Sequence, residues 1–380
     1  MRTLELFSGA GGMALGLGQA GFTHVKFVEF NKHACNTLRT NFDPTLVFEG
    51  DVRNFSFGDL SDIDFVAGGP PCQPFSLAGK HKANSDDRDM FPYAVEAIRT
   101  LRPKGFMFEN VKGLLRSTFS EYFDYVLLRL SYPSYAQAEG KWEDNLAMLR
   151  QIDEDPSQKP EYDVQYKLLN SANYGVPQTR ERVFIIGTRS NLGVNFVIPE
   201  PTHSKKVLLQ HQKVTNLYWK KHGIKQLSKA EKPSKTQLAL FPNMLKPWVT
   251  VRDALNDVPH PASNHQIENH VFKDGAKSYP GHTGSYIDLP AKTLKAGVHG
   301  VPGGENMIRY EDGSIRYFTV HEGKLLQTFP ANYHITGAWG EGMRQIGNAV
   351  PVQLARILGE AIFEALSATK SNKKPVQSVG

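Results

Sequence analysis

Over its first 190 residues the chain alternates short apolar runs with amphipathic stretches, and no other feature constrains the fold as tightly. The runs at 3–7, 24–30, 64–67, 106–109, 164–169 and 183–188 read as strands, with amphipathic stretches such as 32–41 and 93–101 between them. That order predicts a mostly parallel, doubly wound α/β sheet. The segment 117–160 is longer and more polar than a tight connection needs, so an inserted helix or loop is expected over one edge. After Arg189 the alternation stops, Lys, Pro, Gly and His rise, and short β-like runs appear, as at 308–320. Helical amphipathicity returns only at 343–366. The expected organisation is a sheet domain over 1–190 plus 341–366, a smaller, irregular β-rich domain over 191–340, and a loose polar tail over 367–380.

At 380 residues the chain can bury a large core in two domains. No apolar run reaches the roughly 18–20 residues that span a bilayer. The N-terminus opens directly into a strand, so neither a signal peptide nor a membrane span is expected. Two cysteines, Cys35 and Cys72, make no disulfide framework and point to reduced thiols in the cytoplasm. The net charge is +6, and residues 201–250 hold ten lysines, no arginine and one acid, Glu231. Such a block is most often a solvated surface, and it equally suits a face that meets phosphates.

A glycine-rich turn, Ser8-Gly9-Ala10-Gly11-Gly12, separates the first strand from its helix. Glycines there allow positive φ and close approach to a ligand, although a tight structural turn has the same composition. Glu29 ends the second strand, where a carboxylate can accept from both hydroxyls of a ribose. Asp51, after a third strand-like run, suits an adenine amino group. Together they suggest an adenosine-bearing cofactor. In open α/β sheets ligands sit outside the carboxyl ends of the strands, and GGPPCQPFS, from Gly68 to Ser76, leaves one such end. Prolines 70, 71 and 74 fix φ and restrict their neighbours, Gln73 included. Cys72 is therefore held stiffly, as an attacking thiolate requires, whereas Cys35 sits in a helix-like stretch and reads as packing. Glu109 ends its strand at the same rim; flanked by Phe106 and Phe108, it would be partly desolvated and suited to donating a proton. Arg180 and Arg182 share a strand face and suit negative charge developing on an oxygen, although an isolated Arg-x-Arg is more often an ion-pairing surface.

FSGAGG, Glu29 in VEFN, GDV, GGPPCQPFS, FENVKG, YGVPQTRERVFIIG, FTVHEGKLLQTFP and GNAVPV stand in an order that resembles the DNA cytosine-5 methyltransferase family of bacterial restriction–modification systems. Mainly 190–305 is left unmatched. The resemblance implies a Rossmann-like methyltransferase domain with S-adenosylmethionine as cofactor, and a target recognition domain. Phe7, Gly9, Ala10, Gly12, Glu29, Phe30, Asp51, Val52, Pro70, Met90, Asn348 and Ala349 fall on positions that would line the cofactor pocket. It implies double-stranded DNA as substrate, with a cytosine turned out of the duplex. Cys72 would attack carbon 6, Glu109 would meet ring nitrogen 3 and the amine, Arg180 the carbonyl at position 2, and Arg182 would support the site through Glu109. Residues 76–89 would form a mobile loop closing on DNA, with Ser76 near a phosphate; Lys80 and Gln178 would also contact DNA. In 294–310, His299 and Arg309 are candidate base or phosphate contacts, while Arg309 or Arg316 equally suits a structural ion pair. A monomer acting beside a cognate restriction endonuclease, with no metal, completes the expectation.

Gln73 and the size of the recognition region separate the chain from the tRNA-directed branch of the same chemistry. An intact Cys72, Glu109 and Arg180 weigh against a silent DNA-binding relative. A dinucleotide-dependent oxidoreductase is the third alternative, distinguished by cofactor binding.

Overall fold

A computed structural model of the chain describes residues 1–71, 89–136, 141–225, 245–296 and 306–368. They fall into two compact units. The first comprises Met1–Leu169, Glu181–Ile198 and the described chain from Ala355; the second comprises Asn170–Arg180 and Pro199–Leu354. These divisions differ from boundaries at 190 and 341. Thr179 donates its N–H to the Ala291 oxygen, and Arg180 reaches the Gly347 oxygen; contacts of that kind draw Asn170–Arg180 into the second unit.

Unit 1 is built on seven strands, β1 (Arg2–Leu6), β2 (Thr23–Glu29), β3 (Val47–Glu49), β4 (Phe65–Gly68), β5 (Gly105–Val111), β6 (Tyr162–Asn170) and β7 (Glu181–Arg189), in the order β3-β2-β1-β4-β5-β7-β6. The first five are parallel, and β7 runs antiparallel to β5. Leu4, Leu6, Val66, Phe106, Phe108, Val183 and Ile185 pack under Phe91, Ala94, Val95 and Ile98 of α3 (Phe91–Leu101). Phe65 meets Phe22 at 4.9 Å, which in turn meets Phe363 of the C-terminal helix Val352–Ala368 at 5.3 Å. Strands covered in this way read as continuous apolar runs, which is why they were visible in the sequence. The crossovers after β1 and β2 carry α1 (Gly12–Gln19) and α2 (Lys32–Asn41). The insertion expected after β5 is a pair of helices, α4 (Ser120–Ser131) and α5 (Trp142–Glu154).

Strand order reverses at β1, with β2 on one side and β4 on the other. The turns after β1 and β4 therefore leave neighbouring strand ends, where Leu6 pairs with Gly68; open α/β sheets bind ligands at such a point. The pairing itself demands a glycine, since a Cβ on Gly68 would lie 2.3 Å from the Leu6 carbonyl oxygen.

Unit 2 holds a three-stranded sheet of Ser285–Tyr286, Met307–Arg309 and Ile315–Tyr317, and a pair formed by His203–Ser204 and Lys246–Pro247. Helices Lys205–Lys213, Leu217–Lys221, Val251–Leu255 and Val320–Leu326 accompany these strands and were not anticipated. The helix expected over 343–366 is two, Trp339–Asn348 and Val352–Ala368. Pro351 divides them, because proline disfavours α geometry in the residue before it. The second runs to Ala368, two residues into the expected tail. Among the described residues no helix is long and apolar enough to cross a membrane.

Candidate active site

The turn after β1 is shaped by three left-handed residues, Phe7 (φ 54°), Gly9 (φ 55°) and Gly11 (φ 78°). The conformation suits glycine. In Phe7 it is rare and costs on the order of 1–3 kcal/mol, a strain typical of functional sites. Glu29 fixes the turn from β2: Gly9 N–H donates to Oε2 at 2.7 Å, and Asn31 N–H to Oε1 at 2.7 Å. Asn31 in turn caps α2 by accepting from Ala34 N–H at 3.0 Å. One carboxylate thus ties the glycine turn to the start of the next helix. Just beyond it Phe30 is 75% exposed, a large aromatic face left in solvent. Asp51 accepts from the Arg53 N–H and Nε, each at 2.9 Å, and hydrogen bonding to Arg53 holds its carboxyl below the usual carboxylate range. Val52 and Pro70 are buried and Met90 is half-buried.

One group beside the turn, Glu5, escaped the sequence reading. Glu5, on β1, is 1% exposed. Burial pushes its carboxyl up to about 8, against the lowering effect of the Ala14 N–H it accepts and with a further rise from Glu29. A lone acid inside the apolar run LEL was the available signal. Cys35 is buried, and burial with the nearby Glu29 and Glu49 charges pushes its thiol up to about 12. At neutral pH it is an inert thiol, as packing predicts.

At the end of β4, Pro70 and Pro71 lead toward Cys72. Asn110 Nδ2 donates to the Pro70 oxygen at 3.0 Å, and Met90 N–H to the Pro71 oxygen at 3.2 Å. Cys72, Ser76 and Lys80 lie outside the described residues, as do the rest of the loop expected over 76–89 save Asp89, and His299. Glu109 lies two residues before the end of β5, which runs on to Val111 rather than stopping at the carboxylate as expected, and is 8% exposed. Its Oε1 pairs with Arg182 Nε at 2.9 Å. The register explains the pairing: Arg182 faces Val111 and Phe184 faces Glu109, so acid and base are diagonal neighbours on one sheet face. That largely buried ion pair fixes where the carboxyl sits.

Unit 2 gathers another group. Arg180, 1% exposed, donates from Nη1 to the Gly347 oxygen at 2.9 Å. Asn348 is exposed and Ala349 buried beside it. Gln178 is fully buried, its Oε1 accepting from Leu294 N–H at 3.0 Å. Arg316 and Arg309, indistinguishable in sequence, part company. Arg316 holds Glu322 with both Nη atoms at 2.7 and 2.6 Å and is buried. Arg309 is half-buried, and its Nε is buried with no hydrogen-bond partner among the described residues.

A family model for C-5 cytosine-specific DNA methylases matches residues 1–137 and 144–364. The chain belongs to that family. It is 33% identical over 370 residues to the type II methyltransferase M.PspPI of Psychrobacter sp. (strain TA137), covering 96% of this chain and 79% of that protein. It is 30% identical over 393 residues to the type II methyltransferase M.NgoFVII of Neisseria gonorrhoeae, covering 96% and 87%. A putative DNA modification methyltransferase encoded in an Escherichia coli prophage has the same fold, with a TM-score of 0.59 at 21% identity over 97% of this chain and 99% of that one. The Schizosaccharomyces pombe Dnmt2 methyltransferase does likewise, at 0.58 and 18% identity over 96% and 99%. In this C-5 cytosine methylase FSGAGG, VEFN, Gly68–Pro71 and ENV sit on elements whose ends converge within unit 1, and QTR and GNAV are joined within unit 2 through Arg180 and Gly347.

Proposed function

We propose that the enzyme transfers the methyl group of S-adenosylmethionine to carbon 5 of a cytosine turned out of a specific double-stranded DNA sequence, with Cys72 as nucleophile. The observation that carries this reading is the meeting, at paired strand ends Leu6 and Gly68, of a carboxylate-held glycine turn and a proline-stiffened stem that enters Cys72. The donor set fits the cofactor. Glu29 suits the ribose hydroxyls, since a carboxylate oxygen accepts more than one hydrogen bond. Phe30 offers a π-face to adenine, and the positive-φ turn at Gly9 and Gly11 admits the amino-acid end. Bound there, S-adenosylmethionine supplies the electrophilic methyl that carbon 5 takes.

Cys72, as thiolate, adds to carbon 6, and the electron pair moves onto carbon 5. Glu109, oriented by Arg182, protonates or hydrogen-bonds ring nitrogen 3 and so accommodates that charge. Once carbon 5 has been methylated its proton leaves to a base, and the electrons expel the thiolate. Arg180 is assigned to the carbonyl at position 2 and Arg309 to the DNA backbone or a base edge. Turning the base out is required because carbon 6 is inaccessible within the stack. In the cell, methylation would shield these sites from a partner endonuclease.

The test is methyl labelling of duplex DNA and of tRNA, with wild type and Cys72→Ser. Labelling of duplex DNA alone, its loss in the serine variant with DNA binding retained, and covalent trapping of wild type by 5-fluorocytosine DNA are expected. Full activity of the serine variant, or label confined to tRNA, overturns the reading.

A further inference from the structure

The helical pair α4–α5 takes no part in the chemistry above, yet its buried face is unusually polar. Tyr122 of α4 donates its hydroxyl to Asp89 Oδ2. The same carboxylate accepts from Phe91 N–H at 3.1 Å through Oδ1 and so also serves the start of α3. Trp142 of α5 packs edge-on against Tyr122, with ring centres 6.0 Å apart, and contacts Tyr125 at 5.7 Å. Asn145 Nδ2 donates to the Tyr125 hydroxyl at 3.2 Å, and the Arg129 guanidinium lies over the Tyr125 ring at 5.3 Å. The second helix thereby fixes the tyrosines of the first.

Asp89 is joined to Met90, whose N–H donates to the Pro71 oxygen. Pro71 precedes Cys72. From the Tyr122 hydroxyl to the peptide of Cys72 there are thus two hydrogen bonds and two covalent steps. Asn110 anchors Pro70 from β5 at the same place. We infer that α4–α5 is a positioning element for the nucleophile, in which Tyr122, through Asp89, holds the returning stem against Pro71 and so fixes the point from which Cys72 departs. The inference rests on the proposed role of Cys72. It asks for accuracy rather than affinity, since a displacement of about 1 Å at reacting atoms costs roughly 100-fold in rate.

A purely structural role for Asp89, as the acceptor of the Phe91 N–H at the start of α3, is separable. Tyr122→Phe removes the link and leaves that bond. Asp89→Ser keeps a side-chain oxygen able to accept the Phe91 N–H and removes the link. In single-turnover reactions with saturating cofactor and DNA, both variants are expected to methylate, and to form the 5-fluorocytosine adduct, roughly tenfold or more slowly. Their affinities for S-adenosylmethionine and for duplex DNA should stay within about twofold of wild type, and the double variant should be no slower than either single one. Wild-type single-turnover rates in both variants overturn the inference, as does a rate loss that merely tracks lost binding or a lowered melting temperature. Wild type that neither labels nor is trapped by DNA overturns the underlying function instead, and this inference with it.

Discussion

Replacing Gly68 with alanine tests whether the junction of β1 and β4 sets the geometry of the site. The new Cβ would lie 2.3 Å from the Leu6 oxygen and 3.1 Å from its carbonyl carbon, whereas a comfortable carbon–oxygen contact needs about 3.3 Å. Both obstructing atoms are backbone, in a strand held on its far side by β2, so no rotamer change relieves the clash. One strand end must move by about 1 Å, and overpacking of that kind costs about 1–3 kcal/mol. The same movement separates the cofactor turn from the cysteine stem, which should slow methyl transfer by roughly 100-fold. Urea unfolding followed by circular dichroism measures the first effect, and single-turnover labelling of duplex DNA the second. Gly69→Ala is the stability control, since its Cβ would meet nothing nearer than Glu109 Oε2 at 3.6 Å. A Gly68→Ala enzyme as stable and as fast as wild type would refute the reasoning.

Glu5 makes stability depend on pH in unit 1. Its folded pKa, about 8, exceeds the ordinary 4.5, so its contribution is fully present below about 4.5 and is lost as pH rises through about 8. Glu5→Gln should flatten the urea-midpoint profile between pH 5 and 9, and an unchanged profile would contradict this. His321 works in the opposite direction: burial first, then Lys324 and His270, pulls its pKa down to about 4. Stability is then lost as pH falls from about 6.5 toward 4, by up to about 3 kcal/mol. Tryptophan fluorescence in urea at pH 7.5 and 5 reads this, because Trp219, Trp248 and Trp339 all lie in unit 2; His321→Asn should remove most of the shift. Arg316→Ala strands the buried Glu322 and should cost about 3–5 kcal/mol. Arg309→Ala should instead leave the urea midpoint nearly unchanged, weaken DNA binding, and lower the salt slope by about one. Equal behaviour of the two variants would show that their different environments do not matter.

The strands and the order of the motifs were legible because central strands of a parallel sheet announce themselves as apolar runs, and because glycine and proline mark the turns that carry chemistry. The helices of unit 2 were not. In Lys205–Lys213 only Leu208 and Gln212 are buried, so lysines on the solvated sides mask the periodicity. The roles of Arg309 and Arg316 were undecidable from sequence, since only the placement of Glu322 separates them. The strained φ of Phe7 was equally hidden, because nothing in Leu6-Phe7-Ser8 marks a residue forced into a glycine conformation.

The residues that would carry the chemistry and the residues that hold them in place are different sets. Pro70 is held by Asn110, forty residues away, Asp89 by Tyr122, thirty-three away, and Glu109 by Arg182 on an antiparallel neighbour. Each support acts on backbone or on a carboxylate rather than on the reacting thiol, so its removal changes where a reacting atom sits without changing what that atom is. Rate should therefore be adjustable from α4–α5 and β7 with Cys72 and Glu109 intact. DNA recognition should respond to unit 2 residues such as Arg309. The two properties should prove mutationally separable, because Asn110, Asp89, Tyr122 and Arg182 belong to unit 1 and Arg309 to unit 2.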